Sequence, residues 1–325
     1  MSNIFDALRR SENEQVGSDS SRPAKATELL QRVERRAVSN WEANISDVGL
    51  EARSFADNNE IVVQGTIPIA EAVAVAPGNA EGLSTNERSE ILSRFQSLPI
   101  SLASQSRLVC LTDKESPTAE AVRLLGVRLR DLRRIRPLKK VLITSTIPQE
   151  GKSTIAANLA CVLAQMPDQK TLLVEGDLRR PSLSQMFGIQ KRRGIRDWLR
   201  GEISLSADIC HLEEADLWLL PAGDPTNDPI ELLESEKLRT MMEQLAAWFD
   251  WIIIDSPPVL PLADTSAWMR LADGILLVTR QGTTEKRQLQ KGLVALDSTK
   301  LLGALLNGSM ASAYSGYYYR SSSAP

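Results

Sequence analysis

The residues most able to do chemistry begin with Gly151-Lys152-Ser153-Thr154, which follow the apolar stretch VLITS and open the helix-like stretch TIAANLACVLA. Such a loop cradles phosphate. The glycine lets the backbone approach closely, and free N–H groups at the helix start face the oxygens. The lysine takes the β- and γ-phosphate charge, and the Ser153 hydroxyl reaches Mg²⁺. Thr146 stands where the usual pattern has its first glycine. Two other apolar stretches end in carboxylates: TLLVEGD in Glu175 and Asp177, and WIIID in Asp255. A carboxylate ending an apolar strand is placed to hold loop-bound Mg²⁺. Glu175 and Asp177 lie two residues apart, so an extended segment turns both to one side. The expected division of labour puts Asp177 and Asp255 on metal-bound water, with Glu175 accepting the proton of an attacking hydroxyl. The bland alternative for each acid is a strand-end turn cap. Asp264 reads as a helix N-cap rather than a ligand. Arg179 and Arg180 read either as phosphate contacts or as a solvated pair.

The tyrosines form the second concentration of chemistry. The chain contains four, Tyr314, Tyr317, Tyr318 and Tyr319, all within its last 12 residues. Tyrosine ordinarily serves cores and interfaces. Here it sits in SMASAYSGYYYRSSSAP, residues 309–325, too small and polar to bury a core and expected to be disordered. Such a tail can enter a neighbouring subunit's site and be switched by added phosphate charge. A sticky aromatic docking tail is the alternative.

Composition removes other chemistries. His211 is the one histidine, and Cys110, Cys161 and Cys210 lack metal-ligand spacing. A Ser-His-Asp triad and a His/Cys zinc cage are therefore excluded, and the cysteines are expected as small buried groups. Net charge is −3, so no global polycation points to nucleic acid. The longest apolar runs are too short for a bilayer, and the charged N-terminus lacks a signal-peptide core. A cytoplasmic location is expected, with any membrane association supplied by a partner.

The elements that must position these groups follow from pattern. Residues 1–95 form a weakly patterned extension, with short amphipathic helices expected at 4–14 and 26–37. Ser116-Pro117 marks a capped helix running to about residue 134. Strands are expected at 141–145, 171–175, 217–221, 251–255, 274–279 and 301–307. Helices are expected at 152–165, 229–249, 264–271 and 284–296. Alternation of this kind gives an α/β domain over 96–308, a mostly parallel sheet with helices on both faces. Ligands in such folds sit at the carboxyl ends of the strands, where these motifs fall.

From about residue 105 to 320 the chain resembles the bacterial tyrosine autokinases of capsule and exopolysaccharide synthesis. The resemblance rests on IPQEGKST, LLVEGDLRRP and IIIDSPP in that order, with SPTAEAVRLL before them and LPAGDPTNDPIELL, LADGILLV, LLGALLN and a tyrosine-rich end after them. It implies a P-loop NTPase fold of the MinD/ParA type. It also implies Mg·ATP held by Gly151, Lys152, Ser153, Thr154, Asp177 and Asp255, with Asn307 against the adenine. The tail tyrosines would be phosphorylated in trans within a homo-oligomeric ring, loosened by the phosphates and reset by a tyrosine phosphatase. Activation would come from the cytoplasmic tip of a membrane-embedded Wzz-type chain-length protein, placing this chain at the inner face of the plasma membrane; the helix at 4–14 is the candidate dock.

Two departures from the family stand out. It usually has aspartate at Glu175, and misplacing a carboxylate by one carbon–carbon bond can cost ~10²-fold in rate unless the loop compensates. Its ring-assembly helix carries Glu, then Arg three and six positions on; Glu120 and Arg123 fit, but Gly126 takes the last place, with Arg128 as a substitute. Two other readings stay open. A ParA/MinD-type ATPase would share sheet and loop, but Ile147 stands where its signature lysine belongs. A non-catalytic, nucleotide-binding regulator of a polysaccharide export complex is the other.

Overall fold

The structure, a computed structural model, describes residues 85–103, 106–202, 208–260 and 263–308. The helices expected at 4–14 and 26–37 and the tyrosine tail lie outside these residues. In chain order the elements are α1 (Thr85–Ser93), β1 (Gln96–Leu98), α2 (Val109–Thr112), α3 (Pro117–Arg133), β2 (Lys140–Ser145) and α4 (Lys152–Ala164). They continue with β3 (Thr171–Glu175), α5 (Leu183–Met186), α6 (Ile195–Leu199), β4 (Cys210–Leu212), β5 (Leu217–Leu220) and α7 (Ile230–Leu233). The last are α8 (Glu236–Trp248), β6 (Trp251–Asp255), α9 (Asp264–Leu271), β7 (Gly274–Arg280), α10 (Lys286–Ala295) and β8 (Leu301–Asn307).

The strands form one sheet in the order β1-β4-β5-β3-β6-β2-β7-β8. Every pairing is parallel except β4 with β5. Burial on both faces explains the unbroken apolar strands, since alternate side chains enter opposite cores. Leu142, Leu172, Ile252 and Ile254 join a core that includes α8 and α9. Val141, Ile143, Leu173 and Ile253 join the one that includes α3 and α4. The register sets Glu175 beside Asp255 and Ile143 beside Asp255, so the central strands end together.

Some elements differ from the sequence expectation. The helix expected over 229–249 is two, because Ser235 adopts an extended conformation and its side chain accepts from the Leu238 amide as a cap. The antiparallel β4, only three residues long, was not anticipated. The expected start of the domain at 96 cuts behind α1, whose end supplies Leu92, with Phe95 following, to the core. Arg88 of α1 forms a two-pronged pair with Asp250, at 3.0 and 2.6 Å.

Candidate active site

The phosphate loop connects β2 to α4 and is shaped by its own acid. Glu150 is fully buried; one oxygen accepts from the Ile147 amide at 2.8 Å, and the other from the Thr284 hydroxyl. The Arg280 guanidinium donates to the Gln149 carbonyl at 3.3 Å, where the backbone turns through φ 68°. Sequence reasoning passed over Glu150 and Thr284. The available signal was an acid beside Gly-Lys-Ser in a loop whose amides need a fixed shape. Gly151 has φ 95°, and a Cβ there would stand 2.1 Å from Asn307 Nδ2, so only glycine fits. Thr146 is accommodated by Gly292 of α10, where a Cβ would already lie 3.0 Å from the Thr146 methyl.

Two strands deliver carboxylates to this loop. Lys152 Nζ lies 3.1 Å from Asp177 Oδ2 and 3.9 Å from Asp255 Oδ1, and donates to Ser153 Oγ at 3.3 Å. Burial works against the Lys152 ammonium, but the charges of Asp255 and Asp177 outweigh it and raise its pKa. Burial pushes Asp255 up to about 6, against the pull of Lys152 and a Ser153 hydrogen bond. Asp255 is 1% exposed, and its Oδ1 has no hydrogen-bond partner. A buried carboxylate oxygen left unpaired beside the loop lysine is what a metal-bound water satisfies. Among the described residues no group of three His, Cys, Asp or Glu side chains could hold a metal by itself. The donor set fits Mg²⁺ brought with phosphate oxygens and water, rather than an all-protein cage.

The structure therefore brings together Gly151, Lys152, Ser153, Asp177, Asp255 and Asn307. The Asn307 side chain donates to the Glu150 carbonyl at 2.9 Å, ending β8 on the loop. Thr154 lies in the first turn of α4, and its carbonyl accepts from Asn158 Nδ2 at 2.9 Å. Glu175 does not join this group through any hydrogen bond: both its oxygens accept backbone amides of other segments. Glu175 and Asp177 thus bond to different groups despite their two-residue spacing, and Gly176 between them is so closely packed that a Cβ would meet the Asp255 carbonyl at 2.7 Å and Trp268 at 2.8 Å.

Asp264 is not an N-cap. It is the first residue of α9, buried, and paired with Arg179 at 2.6 and 3.1 Å. Arg179 is thus tied to Asp264 at 29% side-chain exposure, while Arg180 is exposed and donates its amide to Asp177 Oδ1 at 3.1 Å. On α3, Glu120 and Arg123 pair with each other at 2.7 Å. Gly126 faces α4, where a Cβ would meet Val162 at 2.9 Å, and Arg128 is exposed. Tyr314, Tyr317, Tyr318 and Tyr319 lie outside the described residues. Among the described residues no helix is long and apolar enough to cross a membrane.

Comparison with known proteins agrees with this geometry. Residues 148–296 match a family described as an AAA domain. The tyrosine-protein kinase YwqD of Bacillus subtilis is 36% identical over 217 residues, 66% of this chain and 91% of that protein. The succinoglycan biosynthesis transport protein ExoP of Rhizobium meliloti is 37% identical over 172 residues, 51% of this chain but 22% of that protein. The kinase domain of the Escherichia coli tyrosine kinase ETK has a TM-score of 0.60 at 27% identity, covering 67% of this chain and 86% of that one. With a mostly parallel sheet, a phosphate loop facing carboxylates from two strands and a relative matched over nearly its whole length, the chain belongs to the bacterial tyrosine-protein kinases.

Proposed function

We propose that this chain is an ATP-dependent tyrosine autokinase that phosphorylates Tyr314, Tyr317, Tyr318 and Tyr319 of a neighbouring copy and thereby regulates polysaccharide polymerisation and export. The observation that carries the reading is the Lys152 ammonium at 3.1 and 3.9 Å from carboxylates on two adjacent strands. When bound, Mg·ATP supplies the γ-phosphoryl group and a divalent charge across its oxygens. Lys152 orients and neutralises the β- and γ-phosphate oxygens, and Ser153, Asp177 and Asp255 hold the metal and its water. The Gly151 backbone keeps the loop close, and Asn307, seated on it, meets the adenine. Burial strengthens each of these interactions, and phosphoryl transfer consists mostly of such positioning.

The ring assembles through the outward face of α3, where the Glu120–Arg123 pair lies beside exposed Leu124 and Val127. A Wzz-type membrane protein activates it, which puts the chain at the cytoplasmic face of the membrane, and a tyrosine phosphatase reverses the modification. The polysaccharide context rests on the family resemblance and on the name of ExoP. Purified full-length protein incubated with Mg·ATP is expected to gain phosphotyrosine. Lys152→Ala should lower that signal by at least ~10²-fold. A chain ending at 308 should lose the signal while keeping nucleotide affinity. Wild-type phosphotyrosine in Lys152→Ala would overturn the site. ATP hydrolysis without phosphotyrosine would favour a ParA/MinD-type ATPase, and binding without either a regulator.

A further inference from the structure

Glu175 ends β3 almost fully buried, at 1% exposure. Its Oε1 accepts the Ser182 amide at 2.6 Å and the Leu183 amide at 2.5 Å; its Oε2 accepts the Ala222 amide at 3.1 Å. The first two are at the start of α5, and the third follows β5. The segment closed between Glu175 and Leu183 carries Asp177. The same segment is tied at Gly176, whose amide donates to the Asp255 carbonyl at 2.7 Å and whose carbonyl accepts the Trp268 indole N–H at 3.0 Å.

We propose that Glu175 is a positioning residue: by closing the 175–183 loop on the Ser182 and Leu183 amides and anchoring it to the Ala222 amide it holds Asp177 against Lys152, and it does not take the tyrosine proton. A general base must lie within hydrogen-bond reach of the proton it removes. The Glu175 oxygens are within reach of three backbone amides instead. The loose transition state of phosphoryl transfer also asks little of a base. Side-chain length becomes the decisive property. Aspartate, one carbon–carbon bond shorter, keeps the charge but falls short of the amides; glutamine keeps the length and a carbonyl for the Ser182 and Leu183 amides, giving up only the Ala222 bond.

The two roles give opposite rankings, and the inference rests on the kinase reading only for its activity arm. Full-length Glu175→Gln should keep kcat for autophosphorylation within about tenfold of wild type. Glu175→Asp should lose about 10²-fold. The Mg²⁺ concentration giving half-maximal binding of a fluorescent ATP analogue should rise several-fold in Glu175→Asp and stay within about twofold in Glu175→Gln. In nucleotide-free protein, amide exchange at Ser182 and Leu183 should quicken in Glu175→Asp and stay slow in Glu175→Gln. A proton-acceptor role demands the reverse order of kcat; that order, equal losses, or wild-type behaviour in both variants would overturn the proposal. If neither variant folds, wild type decides. Its Ser182 and Leu183 amides must stay protected when Mg·ADP and a phosphate analogue bind, and their exposure would show Glu175 swinging to the nucleotide. Wild type without phosphotyrosine would sink the kinase reading alone, leaving Mg²⁺ dependence and amide exchange to judge Glu175.

Discussion

Asp208 shows how a single buried acid trades stability against pH. It is 4% exposed, and its Oδ2 has no hydrogen-bond partner. Burial, then the Asp197 charge, pushes its pKa up to about 6, with Arg192 and Arg193 pulling the other way. A carboxyl raised above its unfolded value holds its proton longer in the folded state. Its contribution to stability is therefore present at low pH and declines as pH rises from about 4 to about 6. Asp208→Asn removes the ionisation. The variant should melt about 2–4 °C above wild type at pH 8, with the difference vanishing below pH 4. Calorimetry across that window checks it, and a constant difference at all pH values would show that charge is not the cause. Asp255 is equally buried and also has one oxygen without a hydrogen-bond partner, but it lies beside Lys152 at the phosphate loop, where the cost serves ligand binding.

Helix α3 carries different information on its two sides. Its buried residues Ala119, Val122, Leu125, Gly126 and Leu129 recur at helical spacing, and Gly126 lets it approach α4. The opposite side exposes Leu124 at 50% and Val127 at 36% between Glu120, Arg123 and Arg128. Large apolar groups rimmed by charge mark a contact surface. Leu124→Glu should therefore shift full-length protein toward monomer in light scattering while changing the melting temperature by less than about 2 °C, since the residue is exposed in the single chain. An unchanged assembly would exclude this face. The third position of the family's assembly motif cannot contribute, because Gly126 points into the α3–α4 packing.

At the scale of the whole described molecule, α1 and the sheet fold as one unit through Arg88–Asp250, Leu92 and Phe95. A chain beginning at residue 96 forfeits that pair and most of the burial, each large side chain worth about 1.5–3 kcal/mol. It should melt on the order of 10 °C below a chain beginning at residue 85, as a thermal scan of both would show. Local pattern was enough to find the phosphate loop, the central strands and the two acids that meet Lys152. A strand-loop-helix cradle is contiguous in the chain, and parallel strands necessarily bring their carboxyl ends together. Pattern did not reveal α1, because a short, mostly polar stretch with Ile91 and Leu92 at its end acquires meaning only from the core it packs on. Nor could it reveal the destination of Glu175, Asp264 or Glu150. Among their partners, the Ala222 amide, the Arg179 guanidinium and the Thr284 hydroxyl lie 47, 85 and 134 residues away in the chain. Residue type and spacing by themselves determined that a phosphate-handling lysine and its carboxylates would exist. Only the tertiary structure decided which acids face the ligand and which hold the backbone, because a carboxylate's role is set by the donors that the folded chain places within about 3 Å of it.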